Sequence, residues 1–305
     1  MGSEQSTPKE NEDFKEIDYN QIIRIMNVHC DSPDHRDYKY SLDNLEFKDI
    51  EKTIDFRNNY DNCKCFDIKN KGCSVSACIS TIIYNDLLKN GEEQIIPSIN
   101  FIFYNSLLVE YGSNNLNLNF VKTSIRNTLK CLNNYGICTE TLYPFDSVNS
   151  PSKVCYNYGN YFNFKYFSIS NDLEIIKKIL SNKKSVLCNI SFFTSFFKDK
   201  MTTQGLLDYP DEYDSILGMM TCVIVGYTEE LIIMKSCFGD KWGDKGYFYI
   251  SNKYLLNLCS DFWIVEIFID KKQKFGLDIK MDTSIKESET KYENTRLNMF
   301  RGSVL

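Results

Sequence analysis

Apolar residues in the first half of this chain recur at helical spacing, while those of the second half crowd into short β-branched and aromatic runs. That division constrains the fold more than any single motif, because a helix repeats near 3.6 residues and a strand at 2. Ala77 to Asn90 carries Ile79, Ile82, Ile83, Leu87 and Leu88, and Gly91 follows as a stop. Pro97 opens a second predicted helix that runs to about Glu110, with Gly112 just beyond it. Thr123 or Ser124 can cap a third through Asn134, closed by Gly136. Asn171 can cap a short fourth, Asp172 to Leu180. Residues 185–193, 219–228, 231–236, 246–250 and 262–269 then read as strands. Helices first and strands second predict an α+β protein of two lobes, with a cleft between them where a site can form.

The 305 residues, 43% hydrophobic and 14% aromatic, suffice for a buried core and exclude general disorder. A net charge of −6, with no long basic stripe, excludes a generic nucleic-acid binder. The first twenty residues lack an apolar signal region, and no apolar run reaches 18 residues. Neither secretion nor a membrane span is therefore expected. Twelve cysteines without a signal are expected as reduced thiols in a cytoplasmic compartment. Residues 1–20 and 271–305 read as polar or charged tails around a region at 21–270, with a helical lobe at about 60–165 and a β lobe at 166–270. Abundant Asn, Ile, Lys and Tyr follow the base composition of an AT-rich genome, such as those of some protists and large DNA viruses.

A series of segments then falls in a telling order. PDHRDYKY (33–40) and IDFR (54–57) come first, followed by IKNKGCSVSACIS (68–80). PSINFIFYN (97–105), SIRNTLKCLNNYGICTETLYPFD (124–146), GMMTCVIVGY (218–227) and IMKSCFGDKWGDKGYFYI (233–250) complete it. Each is weak alone. Together, over about residues 29–270, the series resembles the papain-like cysteine peptidases, nearest their bacterial and viral cathepsin-like branch. The resemblance implies a two-lobed fold, with a helical left lobe, an antiparallel β right lobe and an active-site cleft between them.

The chemistry of that family needs a thiolate, an imidazole, a group orienting the imidazole and an oxyanion donor. Carried over motif by motif, these positions hold other residues. The nucleophile position, five after Gly72, is Ala77, although a one-residue slip would place Cys78 there. The oxyanion position is Lys71. The base position, seven before Tyr227, is Met220, and the orienting position is Ser236, followed by Cys237. The chain has two histidines, His29 and His35, and both precede the domain start. Meanwhile Gly72, Gly226, Tyr227, Gly239, Trp242, Gly243 and Gly246 keep the framework of the motifs. The resemblance therefore implies a pseudoenzyme with no intact catalytic set.

Three other readings have residues of their own. A residual thiol hydrolase would use Cys78 or Cys237 with a carboxylate or lysine, and Cys78 near a helix start would gain some activation. Cys63, Cys65, Cys73 and Cys78 cluster closely, but their spacing matches no standard zinc pattern, so neither metal nor cofactor is expected. MGSEQS fits an acylation pattern at Gly2, and membrane contact is expected only if Gly2 carries a lipid. The expected function is structural or assembly-related, with protein partners, in the cytoplasm, extending to the host cytoplasm and particle of a large DNA virus. The alternative is an adaptor that holds an extended peptide in the inactive cleft.

Overall fold

A computed structural model describes residues 26, 28–41, 50–57, 73–92, 95–112, 121–197, 201 and 204–269. Helix α1 (Ser74–Lys89) is buried on nearly every side, including Ser74, Ser76, Ser80, Thr81 and Asn85. Most of the hydroxyls find a partner: Thr81 Oγ1 donates to the Ala77 carbonyl at 2.9 Å within the helix and Ser80 Oγ to that of Pro97 at 3.4 Å, while Ser76 Oγ is buried without one among the described residues. The helix starts before Ala77, and its N-cap, Cys73, makes no side-chain capping bond. A start without a capping signal explains why sequence placed it three residues late.

Helix α2 (Ile99–Tyr111) is capped by Ser98, whose hydroxyl accepts from Phe101 N–H, and is closed by Gly112 in the left-handed region at φ 66°. For α3 (Ile125–Tyr135) the cap is Ser124 rather than Thr123, with Asn127 N–H as donor. Helix α4 (Lys153–Gly159) follows. Helix α5 (Leu173–Ser181) is capped by Asp172, which accepts from Glu174 and Ile175. Asn171 does not cap it, because its side-chain amide is turned to the Leu256 carbonyl at 2.9 Å.

One antiparallel sheet forms the second lobe. Its strands are β1 (Ile54–Asp55), β2 (Phe162–Ser168), β3 (Val186–Phe193), β4 (Ile216–Tyr227), β5 (Leu231–Lys235), β6 (Tyr247–Ser251) and β7 (Cys259–Ile269). They run in the order β2-β7-β3-β4-β5-β6, with β1 pairing β4. A short helix α6 (Asn252–Leu258) links β6 to β7. Strand β2 straddles the lobe boundary expected at 165/166. It was hidden from the sequence reading because Phe162, Phe164, Tyr166 and Phe167 stand among Asn and Lys. Gly226 is required where β1 crosses β4, since a Cβ there would stand 2.3 Å from the Ile54 carbonyl oxygen.

The core runs from α1 across β4 into the sheet lobe. At its far end Trp242, fully buried, stacks on Phe196 at 5.6 Å between ring centroids and meets Phe238 at 4.9 Å and Phe248 at 5.7 Å. That aromatic cluster holds the loop between β5 and β6, and with it Ser236 and Cys237. Among the described residues no helix is long and apolar enough to cross a membrane.

Candidate functional site

Two hydrogen bonds fix the head of α1 against the middle of β4. Thr221 N–H donates to Ser74 Oγ at 3.4 Å, and the Cys78 thiol donates to the Thr221 carbonyl at 3.1 Å. Ala77, the residue before Cys78, is buried, as is Met220, the residue before Thr221. Met220 faces Ile190 across the β3–β4 ladder. The loop after β5 then brings in Cys237, whose thiol approaches the Met220 sulfur at 3.7 Å. Ser236 is committed elsewhere, its hydroxyl donating to the Gly246 carbonyl at 3.0 Å and accepting from Phe238 N–H at 3.4 Å. Lys71 lies outside the described residues, as do Gly2, Cys63 and Cys65.

The structure thus gathers Cys78, Met220 and Cys237 at one point, with Ala77 and Ser236 as chain neighbours. What they form is a sulfur-rich patch rather than a proton relay. Burial pushes the Cys78 thiol up, only partly opposed by a hydrogen bond with Cys237, while the nearby Cys222 and Cys188 push in the same direction as burial. Cys222 is likewise driven well above the ordinary thiol range by burial. Buried Lys235 acts on Cys78 in the lowering direction, but too weakly to reverse the shift. Its ammonium sits 4.4 Å from the centroid of the Tyr247 ring and 3.4 Å from that hydroxyl. The helix-start activation anticipated for Cys78 is also reduced. The helix begins at Ser74, so Cys78 stands in its second turn, and the dipole acts mainly within the first. A neutral, buried thiol is a poor nucleophile.

Sequence position alone missed a second feature. The leading segment, which precedes β1 in the chain, folds back across both lobes. Val28 pairs with Thr123 at the head of α3, and His29 N–H donates to the Thr123 carbonyl at 3.3 Å. On the sheet side, the Cys30 thiol reaches the Met219 sulfur at 3.3 Å and Ser260 Oγ at 3.2 Å, and Asp31 N–H donates to Asp261 at 3.0 Å. Arg126 of α3 locks the segment. Its guanidinium grips Asp37 through two bonds of 2.9 and 2.7 Å, and its backbone N–H donates to Asp31 at 2.8 Å. His29 therefore lies against α2 and the head of α3 rather than apart from the domain, and its Nε2 is paired with Glu110 of α2 at 3.1 Å. His35 is exposed near Asp34.

Met26 closes this strap over the start of β4. A Cβ on Gly218 would stand 2.8 Å from the Met26 Cβ and 3.0 Å from its carbonyl oxygen. Gly218→Leu is accordingly expected to dislodge Met26 and residues 28–31. Amide hydrogen exchange should rise at His29 and Asp31 by at least about tenfold, the signature of a local opening near 1.4 kcal/mol easier. Exchange in α1 should stay unchanged.

Comparison with known proteins agrees with this arrangement. Residues 122–260 match the family model described as papain family cysteine protease. An uncharacterized peptidase C1-like protein of Acanthamoeba polyphaga mimivirus is 27% identical over 214 residues, covering 65% of this chain and 68% of that protein. The fold is similar to that of xylellain, a cysteine protease from Xylella fastidiosa, with a TM-score of 0.70 at 21% identity, over 79% of this chain and 95% of that one. It is also similar to procathepsin B from Trypanosoma congolense, with a TM-score of 0.65 at 11% identity, over 83% and 89% of the two chains. A helical lobe and an antiparallel sheet joined along α1 and β4, the ordered motifs and these relatives together give the chain a papain-like fold and support its place as a papain-like peptidase family member.

Proposed function

We propose that this chain is a catalytically silent papain-like protein with a structural or assembly role, one suited to the particle of a large DNA virus. One observation carries the reading: the base position on β4 holds Met220, buried against the Cys237 sulfur. The sequence has no histidine after His35 that could replace it, and the His29 ring is engaged by Glu110. A cysteine peptidase without an imidazole has no general base for its nucleophile and no acid for the leaving amine. Residual hydrolysis by Cys78 is disfavoured by its burial and its bond to Thr221.

The strap favours assembly over the adaptor reading. An extended peptide would have to compete with residues 28–31, which already bridge Thr123 and Met219. The likeness to a mimivirus protein supports a viral setting. Partners are then other proteins, in the host cytoplasm or the particle. Membrane contact is confined to a chain acylated at Gly2, which intact mass of the native protein reads directly. The test of the role is sedimentation of the native protein. Comigration with a large assembly that survives high salt is expected, and recovery solely as a free monomer overturns the proposal.

A further inference from the structure

We propose that Cys138 and Cys155 are a disulfide-forming pair, closed when the chain meets a disulfide oxidant. Both are buried in a small cluster apart from the main core, with Phe101 and Tyr143. Cys138 follows the end of α3, and its carbonyl accepts from Ser98 N–H at 2.7 Å. Cys155 sits on α4, its sulfur 3.5 Å from Ser152 Oγ and 3.8 Å from the Leu142 carbonyl. Backbone bonds thus hold both residues in place, the Cys138 thiol donates to the Thr139 carbonyl at 3.5 Å, and an interaction between the two thiols pushes Cys138 up and Cys155 down.

The chemistry distinguishes this pair from the other buried thiols. The interaction with Cys138 holds Cys155 down at about 6, with Ser152 adding to the effect against the cost of burial. Cys155 is therefore more readily ionised than Cys78, Cys188 and Cys222, which burial drives upward. Access comes through α4, which is only seven residues long and has an exposed Val154. Short surface elements of this kind open locally at modest cost. The Cys155 thiolate attacks one sulfur of oxidised glutathione, expels a glutathione thiolate and leaves a mixed disulfide. Cys138 then gives up its proton to solvent and attacks the Cys155 sulfur, expelling the second glutathione. Two protons and two electrons pass to the oxidant, which ends as two glutathione thiols.

The full-length chain, equilibrated in graded mixtures of reduced and oxidised glutathione, blocked with N-ethylmaleimide and digested without reductant, tests this. The expected result is a peptide joining Cys138 to Cys155, lighter by two hydrogens, with fragmentation separating Cys138 from nearby Cys131. A closed loop of this size should also raise the melting temperature by about 5 °C. That rise should vanish in Cys155→Ser. The peptide map of the unmutated chain decides the matter even if the variant folds poorly. Maleimide on both residues under the most oxidising mixture overturns the proposal. So does a lasting glutathione adduct on Cys155, or a bridge from either residue to another cysteine.

Discussion

The full-length chain is expected to cleave fluorogenic peptide amides no faster than buffer does, and Ala77→Cys is expected to leave that rate unchanged. Members of a catalytic set act as a unit, so losing one costs on the order of 10⁴–10⁶ in rate and restoring one alone recovers little. A thiol at position 77 would still lack an imidazole, because the base position holds Met220, packed against the Cys237 sulfur. Ser236 would still be tied to the Gly246 carbonyl. Turnover measured across pH 5 to 9 checks this, because a working Cys–His pair would show a bell-shaped profile. Hydrolysis by the unmutated chain that is abolished in Cys78→Ser would reinstate the thiol-hydrolase alternative.

Arg126→Ala is expected to release the strap, at a cost of about 3–5 kcal/mol, the usual consequence of stranding buried charge. Arg126, Asp31 and Asp37 are all largely buried, with side-chain exposures of 12%, 6% and 10%. The guanidinium also lies 5.7 Å from the centroid of the Trp263 ring. Without it, two carboxylates would remain in a poorly solvated seam, with the backbone N–H of residue 126 still donating to Asp31. Arg126→Lys should recover little, since an ammonium cannot repeat the two-pronged grip on Asp37. Urea unfolding should report the loss of stability. Hydrogen exchange should place the first opening at residues 28–40 rather than in α1.

Much of the fold was legible because its strongest signals are local. Ser98 and Ser124 cap helices with their own hydroxyls, and Gly112 and Gly136 end them, so α2 and α3 fall within a few residues of their predicted bounds. Strands β3 to β7 were found because their apolar runs are dense. Elements α4, α6 and β2 were missed because short or mixed-polarity segments take their form from tertiary packing. The onset of α1 was missed for the converse reason. Ser74 and Ser76 do not read as core residues, yet both are buried, Ser74 by its contact with Thr221.

The site divides in the same way. Motif spacing named Ala77, Met220 and Ser236, and the fold sets Met220 and Cys237 in contact. No spacing rule could show that Cys78 turns inward to Thr221, because this depends on how α1 meets β4. Nor could sequence position show that His29 and Cys30 return to α3 and β4. That needed the long-range pairings with Thr123 and Met219.

The most direct measurement is intact-mass analysis after exposure to an epoxysuccinyl or vinyl-sulfone probe of cysteine peptidases. No probe mass is expected on Cys78 or Cys237 in the folded chain, because both thiols are buried and burial pushes Cys78 up. One probe per chain, mapped to Cys78 and lost in Cys78→Ser, would contradict this expectation.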